Sequence, residues 1–353
     1  MKTIAELASG DTTSAIVRGS SITKYALEPT VWLKTIIDAA KKKHYYAQFV
    51  YQTEVPPGNA DVVIPKRSKM LSSSDYASSA SEGAAVNYTK LNNIDGIQIT
   101  PVDYNYGIAI SNKALRTNAL DLLKYARDEL TYYAGEVVDN AVVTALVGAT
   151  AATSSTAGAQ TVYGGSATAD SALQDGDVLT TTMITEAKRK LESTTCKYWT
   201  LGVGESVSSA TKNPWTNDPN EPFVLFIAPE QQEALLNDTQ FVNASEYGSD
   251  KVIHSGEIGE YLGIKVIVSN NTKAYTTSDS SPDGESSANP GVNMHRCILC
   301  KPMRAAALAW GQKPKLYSFD YPSELEKRII LELSYAAKVI HDDAIVWLDV
   351  AQE

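Results

Sequence analysis

Residues 223–238 read FVLFIAPEQQEALLND, and residues 255–271 read SGEIGEYLGIKVIVSNN. The first stretch opens with five apolar residues in a row, Phe223 to Ile227. That run is too short for a helix and lacks the alternation of a half-exposed strand, so it predicts a strand covered on both faces. Pro229 suits the first turn of a helix, where its missing N–H leaves no bond unmade, and the helix is expected to end near Asp238. In the second stretch Gly256, Gly259 and Gly263 punctuate a turn-rich passage into a strand from Ile264 to Val268. These glycines precede a strand instead of joining a strand to a helix. They therefore predict tight turns and not a phosphate cradle.

Downstream, RCILCKPMRAAALAW (residues 296–310) begins a run of strands expected at Cys297–Ala309, Leu316–Phe319, Ile329–Val339 and Ala344–Val350. In the third, Ile329, Leu331, Leu333, Tyr335, Ala337 and Val339 alternate strictly. Upstream, Leu115, Ala119, Leu122, Ala126, Leu130, Tyr133, Val137, Ala141 and Ala145 recur every three or four residues without a proline. They predict one helix from Ala114 to Val147, about 50 Å long, against which the terminal strands must pack. Residues 148–181 are Gly/Ala/Ser/Thr-rich and read as a linker or ordered loop. A threonine run then caps a short helix over Met183–Leu191. Residues 202–221 and 273–293 read as polar loops.

Residues 52–111 read as two strand-rich limbs, around Val62, Val63 and Ile64 and from Ile97 to Ile110, flanking a Ser/Ala-rich tract at 71–85. On the return limb the apolar positions are odd at Ile97 and Ile99, then even from Val102 to Ile110. The parity switches at Pro101, which predicts a long strand crossing a bulge from one packing environment into another. Residues 1–28 show no sustained periodicity and read as an extended arm that needs a partner surface. From Pro29, Val31, Trp32, Ile36, Ile37 and Ala40 mark an amphipathic helix ending in Lys41, Lys42, Lys43 and His44, where the helix dipole favours cations.

The chain has 353 residues, 43% hydrophobic and 20% charged, with 31 basic against 41 acidic side chains for a net charge of −10. At ~150 residues per domain this is two units or one elaborated one. The low charged fraction, against a usual ~25%, suggests surface hidden against other chains. An acidic balance argues against a protein whose whole surface grips a phosphate backbone. Tyrosines outnumber phenylalanines 19 to 5. Tyrosine suits surfaces buried only on assembly, and Tyr45, Tyr46, Tyr51, Tyr132 and Tyr133 are candidates. No run of ~18 apolar residues and no signal-peptide core occurs, so the expectation is a protein neither secreted by the usual route nor membrane-spanning.

Little catalytic material is present. Cys196, Cys297 and Cys300 cannot all pair, and a reducing compartment is the default. The Cys297/Cys300 spacing lies in a strand that sends the two thiols to opposite faces, so they read as buried structural cysteines. His44, His254, His295 and His341 lie far apart, and His341, Asp342 and Asp343 read as turn chemistry between strands. No nucleophile elbow, P-loop or dinucleotide fingerprint occurs. No cofactor and no catalytic or metal residue is expected.

FVLFIAPEQQEALLND, SGEIGEYLGIKVIVSNN and RCILCKPMRAAALAW, followed by the alternating C-terminal strands, together resemble the major capsid proteins of tailed double-stranded DNA phages with the Hong Kong 97 fold. The resemblance is particularly to the group related to N4-type capsids. The resemblance implies an α+β fold with an N-arm and its amphipathic helix (1–51) and an extended β-hairpin E-loop (52–106). It also implies a P-domain carrying the long spine helix (107–150 and 294–353) and a mixed α/β A-domain with its preceding low-complexity loop (151–293). It implies self-assembly into the pentamers and hexamers of an icosahedral shell around non-specifically held double-stranded DNA. It further implies portal, scaffold and decoration proteins as partners, no membrane, and a location in the virion after assembly in the host cytoplasm. A cellular nanocompartment shell of the encapsulin type shares the fold and is the alternative; a thiol-redox or metal-dependent enzyme is the remote one. In a shell, the basic cluster Lys66, Arg67 and Lys69 at the foot of the limb would lie across a neighbour's spine helix, which offers Asp121, Asp128 and Glu129.

Overall fold

A computed structural model describes residues 44–67, 94–117, 121–152, 158–193, 222–238, 260–275 and 293–351. In chain order the strands are β1 (Tyr51–Glu54), β2 (Val62–Arg67), β3 (Ile94–Ile99), β4 (Val102–Ser111), β5 (Gln160–Tyr163), β6 (Phe223–Ile227), β7 (Glu260–Tyr261), β8 (Ile264–Val268), β9 (Lys273–Tyr275), β10 (Met294–Cys300), β11 (Ala306–Tyr321), β12 (Glu326–Val339) and β13 (Ile345–Ala351). The helices are α1 (Asn112–Thr117), α2 (Leu122–Val147), α3 (Thr181–Ser193) and α4 (Pro229–Asn237). The expected arm, the helix from Pro29, the Ser/Ala tract and the loop at 202–221 lie outside the described residues, as do Lys69 and Cys196.

The run Phe223–Ile227 is buried at all five positions, as a strand with both faces covered requires. It belongs to a seven-stranded mixed sheet ordered β5-β13-β10-β6-β8-β7, with β9 also paired to β10. On one face Phe223, Leu225 and Ile227 join Cys297, Leu299, Val346 and Leu348 under α3 and α4, through Ile184, Leu191 and Leu235. On the other face Val224, Phe226, Ile298, Cys300, Ile345 and Trp347 meet α2 and the second sheet. The alternation of each central strand thus feeds two cores from one sheet. Pro229 opens α4 as expected. The amide of buried Gln231 ties two segments together, accepting from Leu179 N at 2.9 Å and donating to Ala351 O at 2.8 Å. Between β7 and β8 the turn needs two left-handed residues, Leu262 (φ 50°) and Gly263 (φ 76°), which is the tight turn expected of Gly263.

The second sheet runs β1-β11-β12-β4, with β1 parallel to β11 and the rest antiparallel. Ile329, Leu331, Leu333 and Tyr335 point into the core under α2, as their alternation requires. The indole Nε1 of Trp347 donates to Leu146 O at 3.2 Å and fixes the helix end to the first sheet.

Four expectations need correction. The long helix is two: Asp121 accepts from Lys124 N at 3.1 Å and starts α2 at Leu122, so 26 residues span about 39 Å and not 50. Its buried stripe is Ala126, Leu130, Ala134, Val138, Val142 and Leu146, whereas Tyr133 lies off that stripe, partly exposed, with its ring 4.8 Å from that of Tyr106. The return limb is two strands: β3 pairs with β2 in a two-stranded sheet and β4 with β12, the chain changing sheets at Thr100–Pro101. Residues 297–309 are likewise interrupted, by a turn at Lys301–Ala305 in which Met303 takes a φ of 59° after Pro302. In the low-complexity stretch Gln160–Tyr163 forms an edge strand parallel to β13.

Candidate assembly surface

An assembly surface is recognised by apolar side chains that the subunit leaves in water. They concentrate where the second sheet extends past the core. β11 is buried over Ala306–Ala309 but open from Lys313 to Asp320, so Leu316, Tyr317, Phe319 and the turn residue Leu325 are exposed, Leu325 by 67%. β4 presents Val102, Tyr104 and Tyr106, each about half exposed. Tyr104 stacks on Tyr335 at 4.9 Å, and burial together with Tyr104 and Tyr133 pushes the Tyr335 hydroxyl up to about 12. Among the described residues the outer edge of β4 has no partner strand, and a ten-residue edge without proline or lysine is an invitation to another chain.

The hairpin β2–β3 is anchored at its root. Val62, Ile64, Ile97 and Ile99 pack on Ala307, Ala309, Ala336 and Ile340, and Lys338 Nζ donates to Gln98 O at 3.2 Å. Val63 on the other face is 55% exposed. In backbone register Lys66 stands opposite Asp95 and Arg67 opposite Ile94, at the end of the hairpin far from its root and not at its foot. Asp121 is the helix cap, and Asp128 and Glu129 are exposed on α2 beside β4. The two proposed charge sets thus stand on different elements, one on the hairpin and one on the helix.

The tyrosine candidates divide. Tyr46 is fully buried inside the subunit, stacked on Phe226 at 4.0 Å, so it is a core residue and not an assembly residue. Beside it, Asp139 on α2 accepts from Ala47 N at 3.2 Å and from Asn271 Nδ2 at 3.1 Å, which pins the entering chain to both sheets' surroundings. Tyr51 and Tyr133 are partly exposed.

Cys297 and Cys300 face opposite cores, unpaired, and burial pushes both thiols up to about 12, leaving them protonated and unreactive at neutral pH. His341, Asp342 and Asp343 form the turn before β13: Asp342 Oδ1 accepts from Thr150 N at 2.7 Å, and His341 Nδ1 lies 3.9 Å from Asp343 Oδ1. Among the described residues no group of three His, Cys, Asp or Glu side chains is arranged to hold a metal. No described helix is long and apolar enough to cross a membrane. Sequence reasoning missed a buried ion pair: Arg296 donates to Asp349 from Nε at 2.8 Å and from its terminal nitrogen at 2.6 Å, with Asp170 4.0 Å away. Both partners stand mid-strand in apolar runs, so no local pattern marks them.

A family model described as phage capsid protein matches residues 94–295. Among solved structures, the capsid asymmetric unit of cyanophage Pam1 matches at 16% identity with a TM-score of 0.65, covering 93% of this chain and 98% of that one. The capsid of Ralstonia phage GP4 matches at 16% identity and a TM-score of 0.62, over 96% and 98% of the two chains. The capsid of cyanophage P-SCSP1u matches at 14% identity and a TM-score of 0.63, over 98% and 99%. Comparison with curated proteins found no match.

Proposed function

The chain belongs to the phage capsid protein family, a family of structural shell proteins and not of enzymes, and on that premise we propose that it is the Hong Kong 97 type subunit of an icosahedral head built from pentamers and hexamers around double-stranded DNA. Its place is the virion. The observation that carries the reading is the exposed end of the second sheet: Leu316, Tyr317, Phe319 and Leu325 belong to no hydrophobic core among the described residues, on a chain whose family forms shells.

In this reading residues 1–51 form the N-arm, 52–106 the E-loop, 107–150 with 294–353 the P-domain, and 151–293 the A-domain. The change of sheet at Thr100–Pro101 supports a boundary between E-loop and P-domain, and α2 lying over β12 supports the P-domain grouping. The net charge of −10 suits a wall that holds DNA without gripping its sequence. Portal, scaffold and decoration proteins are its further partners, and assembly takes place in the host cytoplasm. Lys66, Arg67 and Lys69 of one copy lie across Asp121, Asp128 and Glu129 of the next. The family match favours this reading over a cellular nanocompartment.

Sedimentation and negative-stain microscopy of the purified protein test it. Closed shells, or capsomers of five or six, are expected; a stable 38.1 kDa monomer at every salt and protein concentration would overturn the proposal.

A further inference from the structure

Helix α2 and strand β4 leave a groove of about 370 Å³ at the amino-terminal half of the helix. Its floor is Ile108 and Ile110 of β4 with Leu122, Tyr125 and Ala126 of α2, and Asp128 and Glu129 stand on its rim. An apolar floor with a carboxylate rim fits a segment that is apolar along one face and cationic at its end.

The described chain begins about two turns of α2 away from this groove. The His44 ring lies 5.0 Å from that of Tyr132 and so close to Gly135 that a Cβ there would meet it at 2.9 Å. Tyr125, Asp128, Tyr132 and Gly135 follow one another at three- and four-residue spacing, which places them on one face of α2. Along the axis, the groove lies about eight residues, roughly 12 Å, from the His44 contact toward the start of the helix.

The sequence just upstream of His44 has the matching chemistry. Val31, Trp32, Ile36, Ile37 and Ala40 recur at helical spacing, and Lys41, Lys42 and Lys43 follow. In a helix, Ile36 and Ile37 fall the same roughly 12 Å before His44, and Lys41, Lys42 and Lys43 fall roughly 2–5 Å before it, a few ångströms past Asp128 and Glu129 and within the span of a lysine side chain.

We infer that residues 29–43 dock in this groove of their own subunit as an amphipathic helix alongside α2, with the apolar stripe on the groove floor and the lysines beside Asp128 and Glu129. The docked helix sets the point from which residues 1–28 leave the subunit toward a neighbour. A carboxylate accepts more than one donor, so this docking is compatible with a neighbour's Lys66 and Arg67 approaching the same rim. The inference concerns the isolated subunit and stands whether or not the shell is icosahedral.

Two measurements on the full-length, unassembled subunit test it. The first is hydrogen exchange of the wild-type protein, in which amides of residues 31–43 are expected to exchange at least about tenfold slower than in the free peptide. The triple variant Lys41→Glu, Lys42→Glu and Lys43→Glu is expected to lose much of that protection. Exchange at the free-peptide rate in the wild type overturns the inference. The second is a subunit carrying Ile37→Cys and Ile110→Cys, mildly oxidised as a mixture of isotope-labelled and unlabelled protein. A disulfide within one chain is expected. A disulfide joining labelled to unlabelled chains assigns the groove to a second copy and overturns docking within the subunit, as does a folded variant that forms no disulfide.

Discussion

His295 stands on β10 with 7% of its surface exposed, its Nε2 3.8 Å from Glu230 Oε2. Burial lowers its pKa below the ordinary histidine value, and the half-exposed Glu230 opposes this only in part. In the unfolded chain the imidazole takes up a proton as the pH falls through ~6.5, while in the folded subunit it does so only at lower pH. Stability is therefore full above the unfolded value and declines as the pH drops from there toward the folded one. The melting temperature of the unassembled subunit should fall between pH 7.5 and 5.5, and His295→Gln should flatten that slope; an unchanged slope in the variant would place the titration elsewhere. One residue on, the logic of burial is harsher. Arg296 is completely buried, with its guanidinium 4.3 Å over the Trp347 ring and two bonds to Asp349. Asp349→Asn removes the nearer of the two carboxylates beside a buried cation and should cost about 3–5 kcal/mol in denaturant unfolding. Replacing both residues by apolar ones should cost less than that single change. A loss under about 1 kcal/mol for Asp349→Asn would mean that Asp170, at 4.0 Å, already carries the neutralisation.

At the scale of elements, α2 depends on where it starts. Asp121→Ala removes the acceptor for Lys124 N and should cost about 1 kcal/mol, whereas Asp121→Asn should cost a few tenths; thermal melts of the two variants give the comparison. That start illustrates what the sequence could and could not disclose. The repeat of apolar residues reported a helix, but the spacing continues across Asn118 and Ala119 and says nothing about a side chain that folds back to cap. The β6–α4–β8 passage was legible because its signals are local: five apolar residues in a row, a proline at a helix start, a glycine before a strand. The parity switch at Pro101 was legible for the same reason, although it marks a change of sheet and not a bulge. Strand β5 was hidden because Gln160–Tyr163 gains its order from β13, nearly two hundred residues later, and its surroundings are Gly/Ala/Ser/Thr. The Arg296–Asp349 bond and the burial of Tyr46 depend in the same way on partners far along the chain. The assembly surface was legible only in outline: tyrosine excess pointed to it, but which tyrosines are exposed was decided by packing.

For the whole molecule, the proposed contact between copies is weak at each occurrence, since exposed ion pairs contribute ~0–1 kcal/mol. A lattice repeats it, so a small change per contact shifts the midpoint of assembly and its response to salt. Lys66→Glu with Arg67→Glu should leave the subunit's melting temperature close to that of the parent while weakening shell formation, most clearly at low salt. Light scattering that shows equal assembly at low ionic strength would shift the register of the hairpin to its apolar positions instead. A different kind of consequence follows from the seven-stranded sheet having a core on each face. Its central strands β6, β10 and β13 are a shared wall: Phe223 and Cys297 face one side, Phe226 and Cys300 the other. Neither core can melt while the wall stands, and the wall has no reason to stand once either core is lost. Calorimetry of the unassembled subunit should therefore give one peak whose van't Hoff and calorimetric enthalpies agree, in place of two separate transitions. A shell made of such subunits would then be built of plates that yield as units: strain can be taken up in the contacts between copies, but a subunit that begins to give way inside gives way entirely.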